Sequence, residues 1–118
     1  MAEKITVYEK PTWTTCRNLG QLFREHKIEA TRVNYFNVPF TEKNLTQLLA
    51  KANLSPFEVL RRNEPIFKEL KITADTSAPE IIKLIIENPS LLQRPIVEVG
   101  DKAVLARPIE KALELLKI

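Results

Sequence analysis

Residues 10–18, KPTWTTCRN, contain the single cysteine of the chain, Cys16, shortly after the apolar run Ile5-Thr6-Val7-Tyr8. A thiol in this setting could act as a nucleophile. The thiolate is the reactive form, and a helix N-terminus lowers a thiol's pKa while its unpaired N–H groups hold an anion. Arg17 adds positive charge beside it. Yet Cys16, Leu19, Leu22, Phe23 and His26 recur at helical spacing. That spacing places the sulfur on an apolar face about one turn into the helix, where the dipole is weaker. An inert, half-buried cysteine and a thiol activated by Arg17 and the helix start are both open. His26, near the helix end, reads as a surface residue or a partner of the C-terminal dipole rather than a catalytic base.

Bulk properties narrow the setting. A chain of 118 residues is one domain's worth, and 44% hydrophobic with 28% charged residues argues against disorder. Eighteen Lys+Arg against fifteen Asp+Glu leave a net charge of +3, with the signs interleaved along the chain. No nucleic-acid partner is predicted from such a pattern. One cysteine and one histidine exclude an internal disulfide and a multi-cysteine zinc site, so no metal is expected. A lone cysteine fits a reducing compartment. The segment MAEKITVYEK lacks the apolar core of a signal peptide, and Ile81–Ile86 is interrupted by Lys83, so a cytoplasmic protein without a membrane span is expected.

The elements that must position these residues follow from periodicity and punctuation. Residues 4–8, KITVY, form a first strand that stops before Pro11; Thr12 or Thr14 could cap the helix that follows. Residues 31–36, TRVNYF, alternate as a second strand, and strand-helix-strand at this spacing implies parallel strands. From Thr41 to Asn88 the reading is helical: TEKNLTQLLAKAN behind a Thr cap, SPFEVLRRN with Pro in its first turn, and SAPEIIKLIIENP closed by Asn88-Pro89. PIVEV and KAVLA around Gly100-Asp101 read as a hairpin, and Pro108-Ile109-Glu110 opens a last helix. The expected fold is one α/β domain over residues 1–118, with a mixed sheet (β-α-β … β-β-α), a core of 1–40 and 89–118, and a helical insert at 41–88.

The hairpin has a consequence for charge. With the turn centred on Gly100-Asp101, cross-strand partners have numbers summing to 201, so Arg94 faces Arg107. Like charges directly opposed on paired strands are destabilising by roughly 0.2–1 kcal/mol unless something compensates them. A carboxylate could do so. A bound oxyanion would do so more specifically, because guanidinium groups bind it through bidentate hydrogen bonds. Both arginines precede prolines, which biases each toward extended backbone at an element boundary. The alternative is two solvated arginines that point apart.

Taken together, ITVYEKP…TCRN (5–18), VLRRN (59–63), NPSLLQRPIV (88–97) and ARPIE (106–110) resemble the arsenate reductase ArsC family with its relatives Spx and YffB. These are thioredoxin-like folds carrying a helical insert, and the resemblance covers nearly the whole chain. It implies that Arg61, Arg94 and Arg107 hold an oxyanion and that Pro95 is the cis-proline of the fold. Arg61 matches rather than Arg62, because the pattern is Leu-Arg-basic-Asn; Arg62 is expected on a solvated helix face. It also implies glutathione as co-substrate and glutaredoxin as partner, with no bound cofactor.

One departure bears on activity. The ArsC loop reads Pro-x-Cys-x-x-Ser-Arg and the Spx loop Cys-x-x-Cys, so Trp13 stands at the nucleophile's position and Cys16 at that of the serine or second cysteine. An indole cannot attack an oxyanion. It can pack in the ordinary way, lie over an anion pocket, stack on an arginine or enter a partner interface. The resemblance thus leaves an arsenate reductase-like oxidoreductase using Cys16, a non-catalytic anion-binding or Spx-like protein-interaction module, and a YffB-like glutathione-dependent thiol reductase.

Overall fold

The computed structural model describes residues 4–116. Strand β1 (Ile5–Glu9) turns Val7 and Glu9 inward. It pairs in parallel with β2 (Thr31–Asn34), Tyr8 opposite Val33, and antiparallel with β3 (Ile96–Val99), Val7 opposite Val97. Strand β4 (Lys102–Leu105) completes the order β2-β1-β3-β4. The β3–β4 ladder runs Ile96↔Leu105 to Val99↔Lys102, the register expected for a two-residue turn. Gly100 sits in that turn at φ 59°, a conformation that glycine adopts without a steric cost.

Strand β2 ends two residues short of expectation. The Asn34 side chain accepts the Phe36 N–H at 3.0 Å and its carbonyl accepts those of Asn37 and Val38, so a local turn replaces the ladder. Helix α1 (Thr14–Glu25) buries Cys16, Leu19, Gly20 and Phe23. It ends at an exposed His26 C-cap followed by Lys27 at φ 56°, with the Ile28 N–H closing onto the Phe23 carbonyl at 2.8 Å.

The chain divides into two compact units, Met1–Val38 with Arg94–Ile118, and Pro39–Gln93. In the first, Val7, Leu19, Phe23, Val97, Ala106 and Ala112 form the buried cluster, with Ile5, Leu22 and Ile28 against it. Each large side chain taken out of water there contributes roughly 1.5–3 kcal/mol. The last helix, α5 (Lys111–Leu116 within the described residues), starts later than Pro108 because i→i+3 bonds from Lys111 to Pro108 and from Ala112 to Ile109 form a tighter entry turn.

In the helical unit, α2 (Glu42–Lys51) is capped by Thr41, whose hydroxyl accepts the Asn44 N–H at 3.1 Å, and α4 (Ala78–Glu87) by Ser77, which accepts that of Glu80 at 3.4 Å. Leu45, Leu48, Leu49, Ile81, Ile82 and Ile85 are buried. SPFEVLRRN is not the expected helix. A single 3₁₀ turn at Phe57–Val59 gives way to extended Leu60, which bridges Leu92 antiparallel, while the Arg61 N–H bonds the Leu91 carbonyl at 2.7 Å. Long-range pairing overrides local propensity there. The short helix α3 (Pro65–Glu69) was not foreseen, although Pro65 in its first turn is a recognised start signal.

Candidate functional site

The first turn of α1 is built without a side-chain cap. Trp13, not Thr12 or Thr14, is the N-cap residue, extended at φ −82°, ψ 142°. Its N–H donates to the Lys10 carbonyl at 3.0 Å and its carbonyl accepts the Arg17 N–H at 2.9 Å. An indole offers no acceptor, so Trp13 cannot satisfy the N–H groups of the first turn from its side chain. Such a turn is suited to an anion.

The indole is instead engaged with Arg94. The guanidinium carbon lies 3.9 Å from the centre of the Trp13 ring and 5.3 Å from that of Phe36. Arg94 Nη1 donates to the Tyr35 hydroxyl at 3.2 Å, and the residue is only 1% exposed. Tyr35 packs in turn on Phe36 at 5.1 Å, and Lys10 Nζ lies 4.4 Å over the Phe36 ring. A desolvated cation over an indole is stabilised by about 2 kcal/mol.

Arg107 is exposed, and its Nη1 donates to the Arg94 carbonyl at 3.2 Å. The ladder has stopped, but one further bond, Ala106 N–H to the Pro95 carbonyl at 2.9 Å, carries the register onward. The two arginines are thus neighbours, one directed into the aromatic cluster and the other open to water. Pro95 is buried, and both Arg94-Pro95 and Arg107-Pro108 are cis.

Cys16 is free and wholly buried. Burial pushes its pKa up; a backbone hydrogen bond at Lys10 opposes this, Glu9 raises it further, and Arg94 and Arg32 lower it. The thiol is therefore protonated at neutral pH. Arg17 is exposed and is not among the charges that act on the sulfur.

Two polar residues of this region escaped the sequence reading. Glu9 is 1% exposed and receives Arg32 through Nε to Oε2 at 2.7 Å and Nη2 to Oε1 at 2.6 Å; the same Nη2 reaches the Cys16 carbonyl at 3.2 Å. The available signal was Glu9 sharing the inward face of β1 with Val7. The hydrogen bond to Glu9 raises the pKa of Arg32.

Arg61 belongs to the helical unit, where its Nη1 lies 3.2 Å from Glu64 Oε1. Arg62 stands in a turn rather than on a helix and stacks on Phe57 at 4.5 Å. Among the described residues no three His, Cys, Asp or Glu side chains cluster as a metal site, and no helix is long and apolar enough to cross a membrane.

The fold is thioredoxin-like α/β with a helical unit, and the site is an uncapped helix start beside a buried arginine. The chain belongs to the ArsC family, whose model matches residues 8–115. It is 33% identical to the uncharacterized protein YfgD of Escherichia coli (strain K12), over 98% of each chain. It is also 33% identical to an arsenate reductase of the same strain, over 95% of this chain and 80% of that protein. An arsenate reductase structure from Vibrio cholerae superposes with a TM-score of 0.90 at 25% identity, covering 97% of this chain and 98% of that one.

Proposed function

We propose that this protein is an anion-binding member of the ArsC family that performs no thiol chemistry at the helix start. Arg94 and Arg107 take a tetrahedral oxyanion there, with the Trp13 indole stacked on Arg94 beside it. The observation that carries the reading is the Trp13 indole at the N-cap of α1, 3.9 Å from the Arg94 guanidinium. Cys16 supports it, because a fully buried sulfur with a raised pKa supplies little thiolate.

Trp13 is the chain's single tryptophan, so its fluorescence reports the site directly. Titration with sulfate or arsenate should give a saturable emission change that Arg107→Ala weakens. In a glutathione- and glutaredoxin-coupled assay wild type should not reduce arsenate, whereas Trp13→Cys should gain turnover. Absence of any anion-dependent change in wild type sinks the reading.

A second reading, a cytoplasmic arsenate reductase-like enzyme, is favoured by the arsenate reductase relatives and by the Lys10 backbone bond at the thiol. Here the Cys16 thiolate would attack the arsenic of arsenate and displace one oxygen as water, and glutathione with glutaredoxin would supply the two electrons that reduce it to arsenite, their thiols ending as a disulfide. Wild-type turnover abolished by Cys16→Ser would establish it in place of the first.

A further inference from the structure

Glu9 lies on the inward face of β1, where an unpaired carboxylate would carry a large desolvation cost. Arg32, from the neighbouring parallel strand, meets it with two of its three guanidinium nitrogens, a planar fork on a planar acceptor. The bond from Nη2 to the Cys16 carbonyl extends this pair from the sheet to the first turn of α1.

The guanidinium reaches that turn by crossing α1 at Gly20. A Cβ on residue 20 would overlap Arg32 Nη1 and lie 3.0 Å from both Cζ and Nη2. Gly20 is within the helix, where glycine costs about 1 kcal/mol relative to alanine, and its φ is not in the left-handed region. What the glycine supplies is room for the arginine.

We propose that Glu9, Gly20 and Arg32 form a brace that fixes the first turn of α1 against the sheet, making Arg32 a positioning residue for the Trp13–Arg94 stack. The inference rests on the anion-binding reading for its consequence, though not for its geometry. Apolar side chains alone resist the sliding of a helix weakly, because several rotamers fill similar space. A bidentate ion pair plus a bond to one particular carbonyl admits a single register. Cys16 lies three positions after Trp13, so a shift of the braced carbonyl is passed to the indole through one turn of helix.

The test is a double-mutant cycle on the full chain: wild type, Gly20→Ala, Arg32→Lys and the two combined. Lysine keeps the charge beside Glu9 but loses the fork and vacates the space over residue 20. Each single variant should weaken sulfate binding about tenfold, the size expected for losing one charge-assisted bond. Each should also increase acrylamide quenching of Trp13. The two effects should not add, since alanine at 20 meets no guanidinium once residue 32 is lysine.

Wild-type sulfate affinity and Trp13 quenching in both single variants overturn the brace, as do strictly additive effects. If wild type itself does not bind sulfate, the anion reading falls while Trp13 quenching and the rate of Cys16 alkylation still decide the brace. Should Gly20→Ala fail to fold, Arg32→Lys decides alone: raised quenching sustains the proposal and unchanged quenching refutes it.

Discussion

The longest helices of the two units begin in opposite ways. In the helical unit α2 and α4 start behind Thr41 and Ser77, whose hydroxyls accept first-turn N–H groups, and each carries Glu in its first turn. In the sheet unit α1 starts behind Trp13, with no side-chain cap and no acidic residue in its first turn. Among these three helices, the local rules that fix a helix cheaply are followed at α2 and α4, which have only to pack, and broken at α1, where Arg94 lies beside the helix start. The first turn of α1 is held instead by longer-range devices: the indole on Arg94, and Arg32 on the Cys16 carbonyl.

The comparison can be broken most forcefully at the buried groups. Arg32→Met should cost about 3 kcal/mol in urea unfolding, toward the low end for breaking a buried pair because the arginine side chain is 38% exposed while that of Glu9 is 1%. Combining it with Glu9→Gln should recover part of the loss by removing the stranded charge; no recovery would mean that the pair does not carry the stability. In the helical unit Leu49→Ala should cost a similar 2–5 kcal/mol, but by cavity formation, with no rescue from any charge substitution.

Caps give smaller effects of opposite sign. Thr41→Ala should lose about 1 kcal/mol. At α1 the same chemistry runs backwards: Trp13→Ser should be more stable than Trp13→Ala by about 1 kcal/mol, since serine restores a cap. Both should fall below wild type because the stack on Arg94 is lost. A Trp13→Ser variant more stable than wild type would show that the indole strains the helix start rather than holding it.

Legibility in the sequence follows the same division. The hairpin register was readable because a two-residue turn at Gly100-Asp101 fixes every pair by arithmetic, and the Thr41 cap because it acts within three residues. Trp13 was visible as a departure from the family loop. Its partner was not, since nothing local tells an arginine before a proline to turn inward to Tyr35 and Phe36. The Glu9–Arg32 pair lies 23 residues apart in the chain and depends on a glycine of a third element, so no periodicity reveals it. SPFEVLRRN misled for a related reason: the Leu60–Leu92 bridge is a tertiary event acting on a segment whose local signals are helical.

The smallest expected effect separates the open face of the sheet from its buried one. Tyr8 donates to Glu98 Oε1 at 3.0 Å, and partial burial together with that carboxylate pushes the phenol's pKa up to about 12 from 10.0. The folded state therefore binds the phenolic proton more tightly than the unfolded chain does. This contribution is fully present below pH 10, and it declines as pH rises through 10 toward 12, because the unfolded chain releases the proton first. Replacing Tyr8 with Phe should flatten the stability profile between pH 10 and 12, because burial penalises mainly the ionised phenol; at pH 7 the substitution removes only one part-buried hydrogen bond. A profile equally steep in Tyr8→Phe would assign the alkaline loss to the Cys16 thiol, whose raised pKa gives the same sign from pH 9.0 upward. Cys16→Ser would then remove it, moving the pH sensitivity from the open face of the sheet to the braced turn of α1.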